Sequence, residues 1–178
     1  MYTLTKHKTG FTVTFSATFE GVNSVCMDVE QFLSESDFED LCFDVNLGVR
    51  EVLNNAVRHG SKMDSRKDVF FSIDVDINRI LLRITDSGSG FDWRKMEKKV
   101  ALPTDTTGRG MDILKQYFDS YRFNDIGNEV ELVKKTIKGD CLRVLKKTPQ
   151  MAIITCLKRK NLYNGIMMSL NIIILTPK

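Results

Sequence analysis

The chain has 178 residues, of which 42% are hydrophobic and 28% charged, with three prolines and eleven glycines. That composition excludes wholly disordered, collagen-like and linker-like chains, and the length suits one domain plus a tail, able to bury roughly 70% of its unfolded surface without staples. A formal net charge of +3 is too small to argue for a nucleic-acid partner.

Residues 11–19 alternate Phe11, Val13, Phe15, Ala17 and Phe19 with Thr12, Thr14, Ser16 and Thr18, the period of a half-buried strand. His7 falls before it in what reads as a frayed, solvated terminus. Gly21 breaks the strand pattern. Val25, Val29 and Phe32/Leu33 then recur at helical spacing over 22–33, and Ser36-Asp37-Phe38-Glu39 has the form of a capping box opening a second helix that runs to His59, with Gly60 as its stop. Strands are expected at 69–76 and 79–85, joined as a hairpin near Ile77-Asn78. Residues 86–110 are rich in glycine, lysine and threonine with little apolar periodicity, the profile of a long functional loop. A helix at 111–118 and a hairpin of 121–123 with 130–133 around Gly127-Asn128 complete the order βααββ–loop–αββ. This predicts an α+β fold, a two-layer sandwich with a mixed, mostly antiparallel sheet and helices on one face.

From Thr136 onward eight Lys/Arg face one acid, Asp140. The tail therefore carries +7 and leaves −4 for the rest of the +3 total. This shift sets an expected boundary between a domain at 1–135 and a basic, apolar tail at 136–178. The tail could be a partner-docking segment, a membrane-surface segment or an added strand. Its greasiest run, Leu162 to Leu175, is interrupted by Asn164, Gly165 and Asn171 and falls short of the ~20 residues of a membrane-spanning helix. No apolar stretch follows Lys6-His7-Lys8, so no signal peptide and a cytoplasmic location are expected. The four cysteines, at 26, 42, 141 and 156, form neither a CxxC nor a zinc spacing and read as reduced thiols.

Three constellations carry chemistry. On the long helix Val45, Val49, Val52, Leu53 and Ala56 make the core stripe, and Glu51, Asn55 and His59, four apart, line a second stripe flanking it. Polar groups half-buried there are costly unless something uses them. Asp86-Ser87-Gly88-Ser89-Gly90-Phe91 follows a buried strand. Its glycines allow close backbone approach, and an ionised carboxylate only accepts hydrogen bonds, which suits the exocyclic amine of adenine and disfavours the carbonyl of guanine. Thr106-Thr107-Gly108-Arg109-Gly110-Met111 opens a helix, where free amides attract phosphate. It is neither a P-loop nor a GxGxxG fingerprint.

The ordered set Glu51-Val-Leu-Asn-Asn-Ala-Val-Arg-His-Gly60, then Asp86-x-Gly88-x-Gly90, then Thr107-Gly108-Arg109-Gly110-Met111 resembles the GHKL ATPase superfamily of gyrase and histidine kinases, over residues 10–135. Within it the sequence looks most like the bacterial anti-sigma-factor serine/threonine kinases. The resemblance implies the Bergerat α/β sandwich and binding of ATP with Mg²⁺. It implies Glu51 as general base, Asn55 as the magnesium ligand and Asp86 as the reader of adenine, with Gly88 and Gly90 as its supporting turn. Arg58 and His59 would touch the phosphates and the nucleotide flank. Phe91 to Thr106 would form the lid, with Trp93 packing at its root, and Thr107, Gly108, Arg109, Gly110 and Met111 its phosphate-side edge. The implied partners are a STAS-type anti-sigma-factor antagonist and a sigma factor, with room for a homodimer and no direct contact with nucleic acid. Two departures stand out. Thr106-Thr107 replaces an Arg-Ser pair, which weakens the case for efficient phosphotransfer. Gly127-Asn128 replaces a Gly-Thr pair; Asn128 can still hydrogen-bond, so ATP binding is expected to be less affected than rate. The alternative to a kinase is a nucleotide-gated module that binds a partner without useful chemistry. A third class, a nucleic-acid binder acting through the basic tail, predicts strongly salt-dependent DNA binding.

Overall fold

The computed structural model describes residues 1–36, 38–94 and 110–136, together with the strand backbones 153–160 and 167–174. The chain divides into two compact units, Met1–Lys135 and Thr136–Lys178.

The first unit is built on a six-stranded sheet with β1 at Tyr2–His7, β2 at Gly10–Ser16, β3 at Asp68–Val75, β4 at Arg79–Asp86, β5 at Ser120–Phe123 and β6 at Glu129–Lys135. The strand order is β1-β2-β3-β4-β6-β5, and every neighbouring pair is antiparallel. The expected mixed sheet is thus antiparallel throughout. Alternation sets which face is buried: Phe11, Val13 and Phe15 of β2, Val69, Phe71 and Ile73 of β3, Ile80, Leu82 and Ile84 of β4, and Val130 and Leu132 of β6 all enter the core. The opposite face carries Thr12, Thr14 and Ser72, and an ion-paired cluster in which Arg83 and Arg122 both reach Glu131.

β1 corrects the expectation of a frayed terminus. It is an edge strand in register from Tyr2↔Phe15 to His7↔Gly10, and His7 Nδ1 lies 3.7 Å from Asp74. No apolar alternation announces it, because five of its six residues are exposed.

The core is closed by α1 at Phe19–Ser34 and α2 at Cys42–Asn55. Thr18 caps α1, its hydroxyl accepting from the Gly21 amide, so Gly21 lies inside the first turn instead of ending the strand. Val22, Val25, Val29 and Leu33 of α1 pack with Val45, Val49, Val52 and Leu53 of α2, the stripes that the spacing predicts. Ser36 does not cap α2: its hydroxyl donates to the Leu33 carbonyl and accepts from the Phe38 amide, and a 3₁₀ turn at Glu39–Leu41 leads into the helix. Beyond Asn55 the helix widens into a π turn, Ala56–Gly60.

A last helix, α3 at Gly110–Tyr117, docks on α2 at a glycine. A Cβ on Gly48 would lie 2.1 Å from the Phe118 ring, so the missing side chain lets α3 approach. Phe43 meets Tyr117 edge to face. Lys134 of β6 reaches Asp44 at 2.9 Å and the Tyr117 carbonyl at 2.7 Å, which ties the C-terminal end of α3 to α2 and the sheet. Among the described residues, no helix is long and apolar enough to cross a membrane. In the second unit β7, Ile153–Lys160, pairs antiparallel with β8, Met167–Ile174, in register from Ile153↔Ile174 to Lys160↔Met167.

The glycine at position 48 yields a prediction whose sign is informative. On helix propensity alone Gly48→Ala would stabilise by about 0.5–1 kcal/mol. Against a buried Phe118 it instead overpacks the interface and costs about 1–3 kcal/mol. Urea unfolding measures which term wins, and adding Phe118→Leu recovers part of the loss.

Candidate functional site

The residues that the sequence singles out meet along the C-terminal half of α2 and its π turn. At one end Asn55 donates a carboxamide N–H to Glu51 Oε1 at 3.1 Å. Facing the pair is the first residue of α3: a Cβ on Gly110 would lie 2.7 Å from Glu51 Oε1 and 3.1 Å from Asn55 Nδ2. The first turn of α3 therefore lies beside a carboxylate and an amide, and the amides of a helix N-terminus are the part of this arrangement that attracts a phosphate. With its nitrogen engaged by Glu51, Asn55 has a carbonyl oxygen that takes no hydrogen bond among the described residues. Mg²⁺ is commonly held by one or two protein oxygens plus phosphate and water, so this donor fits that ion. Among the described residues no group of three His, Cys, Asp or Glu forms a self-contained metal site.

At the other end stands Asp86, the last residue of β4. A Cβ on Gly60 would lie 2.3 Å from the Asp86 carboxyl, and one on Gly88 would lie 2.4 Å from the Gly60 carbonyl. Two stretches of chain, the end of the π turn and residues 86–88, thus touch where side chains are absent. Asp86 Oδ1 accepts the Gly88 amide at 2.7 Å; among the described residues its second oxygen has no hydrogen-bond donor. Burial pushes the Asp86 carboxyl above its ordinary range, opposed in part by the Gly88 amide and by the nearby charge of Lys67. From Glu51 to Gly60 the helical path climbs about 12 Å, so the anion-attracting end and the acceptor end are well separated along one element, as the two ends of an extended ligand require.

Gly90, at φ +77°, abuts the Ile126 carbonyl, where a Cβ would come within 1.8 Å. Phe91 is exposed and sits edge to face on Phe123. Trp93 stacks on the same ring and donates its indole N–H to the Asn124 carbonyl. Met111 lies half-buried in the first turn of α3. Thr107, Gly108 and Arg109 lie outside the described residues, as do Thr106 and most of the expected lid.

Arg58, His59 and Asn128 have surroundings that the spacing does not reveal. The π turn rotates the residues after Asn55 off the i,i+4 stripe, since with its i→i+5 bonds it takes more residues per turn than an α-helix. His59 is exposed, and the Arg58 guanidinium lies 5.8 Å from the centre of the Phe19 ring, held as a cation–π partner. Asn128 does not keep its amide for a ligand: Nδ2 donates to the Asp86 carbonyl at 3.1 Å, and Oδ1 accepts from Asn124 at 2.7 Å. Sequence reasoning also passed over Gly60, which it took for a helix stop and which instead forms the wall against Asp86. The signal for it was its place as the last residue of the 51–60 motif.

The family model described as the histidine kinase-like ATPase domain matches residues 15–134. A search of curated proteins gave no match.

The raised Asp86 carboxyl yields a prediction with a definite sign. A carboxyl raised in the folded state costs stability once the pH exceeds its folded pKa, and costs nothing below the unfolded value of about 4. Asp86→Asn keeps the acceptor for the Gly88 amide, so it raises the melting temperature of the ligand-free protein at pH 7. That gain shrinks as the pH falls toward about 4. A calorimetric pH series compares the two proteins; a variant less stable at pH 7 contradicts the assignment.

Proposed function

The chain belongs to the histidine kinase-like ATPase domain family, and on that premise we propose that it is an ATP-dependent protein kinase acting on a serine or threonine of a small regulatory partner. The observation that carries this reading is the triangle of Glu51, Asn55 and Gly110, which brings a base, a hard oxygen donor and a helix N-terminus to one place. Asp86 would accept the adenine amine at the opposite end. The half-buried acceptor gains a partner when adenine arrives, and a guanine carbonyl there would face an acceptor with an acceptor.

The chemistry asked of the chain is small. Asn55 Oδ1 would hold Mg²⁺, which neutralises charge on the phosphates. The α3 N-terminus would orient the γ-phosphoryl group, and Glu51 would take the proton of the incoming hydroxyl as its oxygen bonds to phosphorus and the bond to ADP breaks. The partner we propose is a STAS-type anti-sigma-factor antagonist, following the resemblance of the 51–60 segment. Phosphorylation would add about −1.5 to −2 charges to an interface and so switch its docking, with a sigma factor as the competing partner in the cytoplasm.

A second reading, a nucleotide-gated binding module without efficient transfer, is favoured by one observation. Arg58, a candidate phosphate-side cation, is engaged with Phe19, and Thr106-Thr107 supplies none in its place.

Transfer of labelled γ-phosphate to a STAS partner separates the two. The kinase reading predicts that Glu51→Gln, which retains an acceptor for Asn55, lowers the transfer rate by about 10²–10⁴-fold while ATP still binds. Nucleotide binding without transfer to any candidate, and partner capture unchanged by Glu51→Gln, would retire the kinase in favour of the module.

A further inference from the structure

The turn between β5 and β6, residues 124–128, is more tightly bonded than a hairpin loop requires. Asn124 Oδ1 accepts from the amides of Gly127 at 2.7 Å, Asn128 at 3.1 Å and Glu129 at 3.3 Å. Its Nδ2 donates to Asn128 Oδ1 at 2.7 Å, which sets the rotamer of that side chain. Asn128 then brackets one residue. Its carbonyl accepts the Asp86 amide at 2.9 Å, and its Nδ2 donates to the Asp86 carbonyl at 3.1 Å. Both backbone groups of Asp86 are thus held by Asn128, one through its main chain and one through its side chain. The same turn meets the start of the expected lid. Gly127, at φ +81°, has no room for a Cβ against the Phe91 carbonyl, 2.2 Å away. The Asn124 carbonyl takes the Trp93 indole, and Asp125 pairs with Arg94.

We infer that Asn124 and Asn128 form a clasp that positions the Asp86 carboxylate for the purine, making Asn128 a specificity-determining positioning residue. This role for the clasp rests on the proposed ATP site and deepens it. A carboxylate at the end of a strand, followed by Ser87-Gly88-Ser89-Gly90, is free to swing with its backbone, and hydrogen-bond discrimination falls off steeply when geometry loosens. Asn128 removes that freedom without touching the nucleotide. The clasp also joins the acceptor to the lid root through one turn, so the two are set together.

The test compares ATP with inosine triphosphate, which differs by replacing the amine that Asp86 would read with a carbonyl. Titration calorimetry on the full chain gives the ratio of the two affinities for the wild type, Asp86→Asn, Asn128→Ala and the double variant. The wild type prefers ATP, and Asp86→Asn abolishes the preference. Asn128→Ala lowers the ratio by about tenfold or more, mainly by weakening ATP, and in the Asp86→Asn background it lowers it no further. Asn124→Asp keeps the three accepting bonds of the turn but loses the donor to Asn128, so it shifts the ratio in the same direction even if Asn128→Ala folds poorly. A wild-type ratio in both variants, with the two nucleotides weakened alike, assigns the clasp a merely structural part and overturns the inference. A wild type with no preference for ATP, or an Asp86→Asn variant that keeps the wild-type preference, overturns the site reading itself.

Discussion

Close approach without side chains is the constraint on which this domain depends. Gly48 admits the Phe118 ring, Gly110 admits Glu51 and Asn55, and Gly60 and Gly88 admit Asp86 and each other; at every one the atom nearest to a Cβ would lie between 2.1 and 2.7 Å away. α2 and its π turn form the common surface of all these contacts. Interiors are packed too densely to absorb an extra methyl cheaply, so Gly48, Gly60 and Gly88 decide how near the C-terminal end of α3 and the end of β4 can come to the helix, whereas Gly110 meets the movable ends of Glu51 and Asn55. The proximity of the base, the amide and the half-buried carboxylate follows from that packing. The Lys134 bridge to Asp44 and Tyr117 then fixes the far end of α3, so that its N-terminus stays aimed at Glu51 and Asn55.

The site also opposes the stability of the fold that carries it. Asp86 is partly desolvated with a single described donor, the Gly88 amide, and a charge so placed raises the free energy of the empty domain. Folding by itself gives no reason to keep a carboxylate there, whereas a ligand that donates a hydrogen bond to it does. The π turn fits the same logic, since widened turns inside helices are often found at functional sites. Here it moves Gly60 against Asp86 and leaves Arg58 and His59 on the exposed side.

Much of this was legible in the chain. Period-two alternation at 11–17 and helical spacing at 45–56 report burial directly, and the buried strand and helix faces follow them. Glu51, Asn55, Asp86 and Gly110 stand out only together, as members of three motifs in a fixed order; taken singly each is compatible with an ordinary surface, turn or hinge, and Asn55 is in fact exposed. What escaped depends on contacts between distant segments. β1 is held by backbone bonds to β2 and shows no apolar pattern. The widening after Asn55 leaves no mark in a four-residue spacing. Asn128 looked available for a ligand because its partners, Asn124 and the Asp86 carbonyl, are identified only by the folding of the turn against β4. Ser36 had the right neighbours for a cap, yet a 3₁₀ turn separates it from α2.

The most direct measurement is a crystal structure of the full chain grown with Mg²⁺ and a non-hydrolysable ATP analogue. The account predicts one nucleotide along the α2 end, with its adenine amine in hydrogen-bond contact with Asp86, the metal on Asn55 Oδ1 and the phosphates at the first turn of α3. A nucleotide seated elsewhere, or one whose base is read by groups other than Asp86, would contradict it.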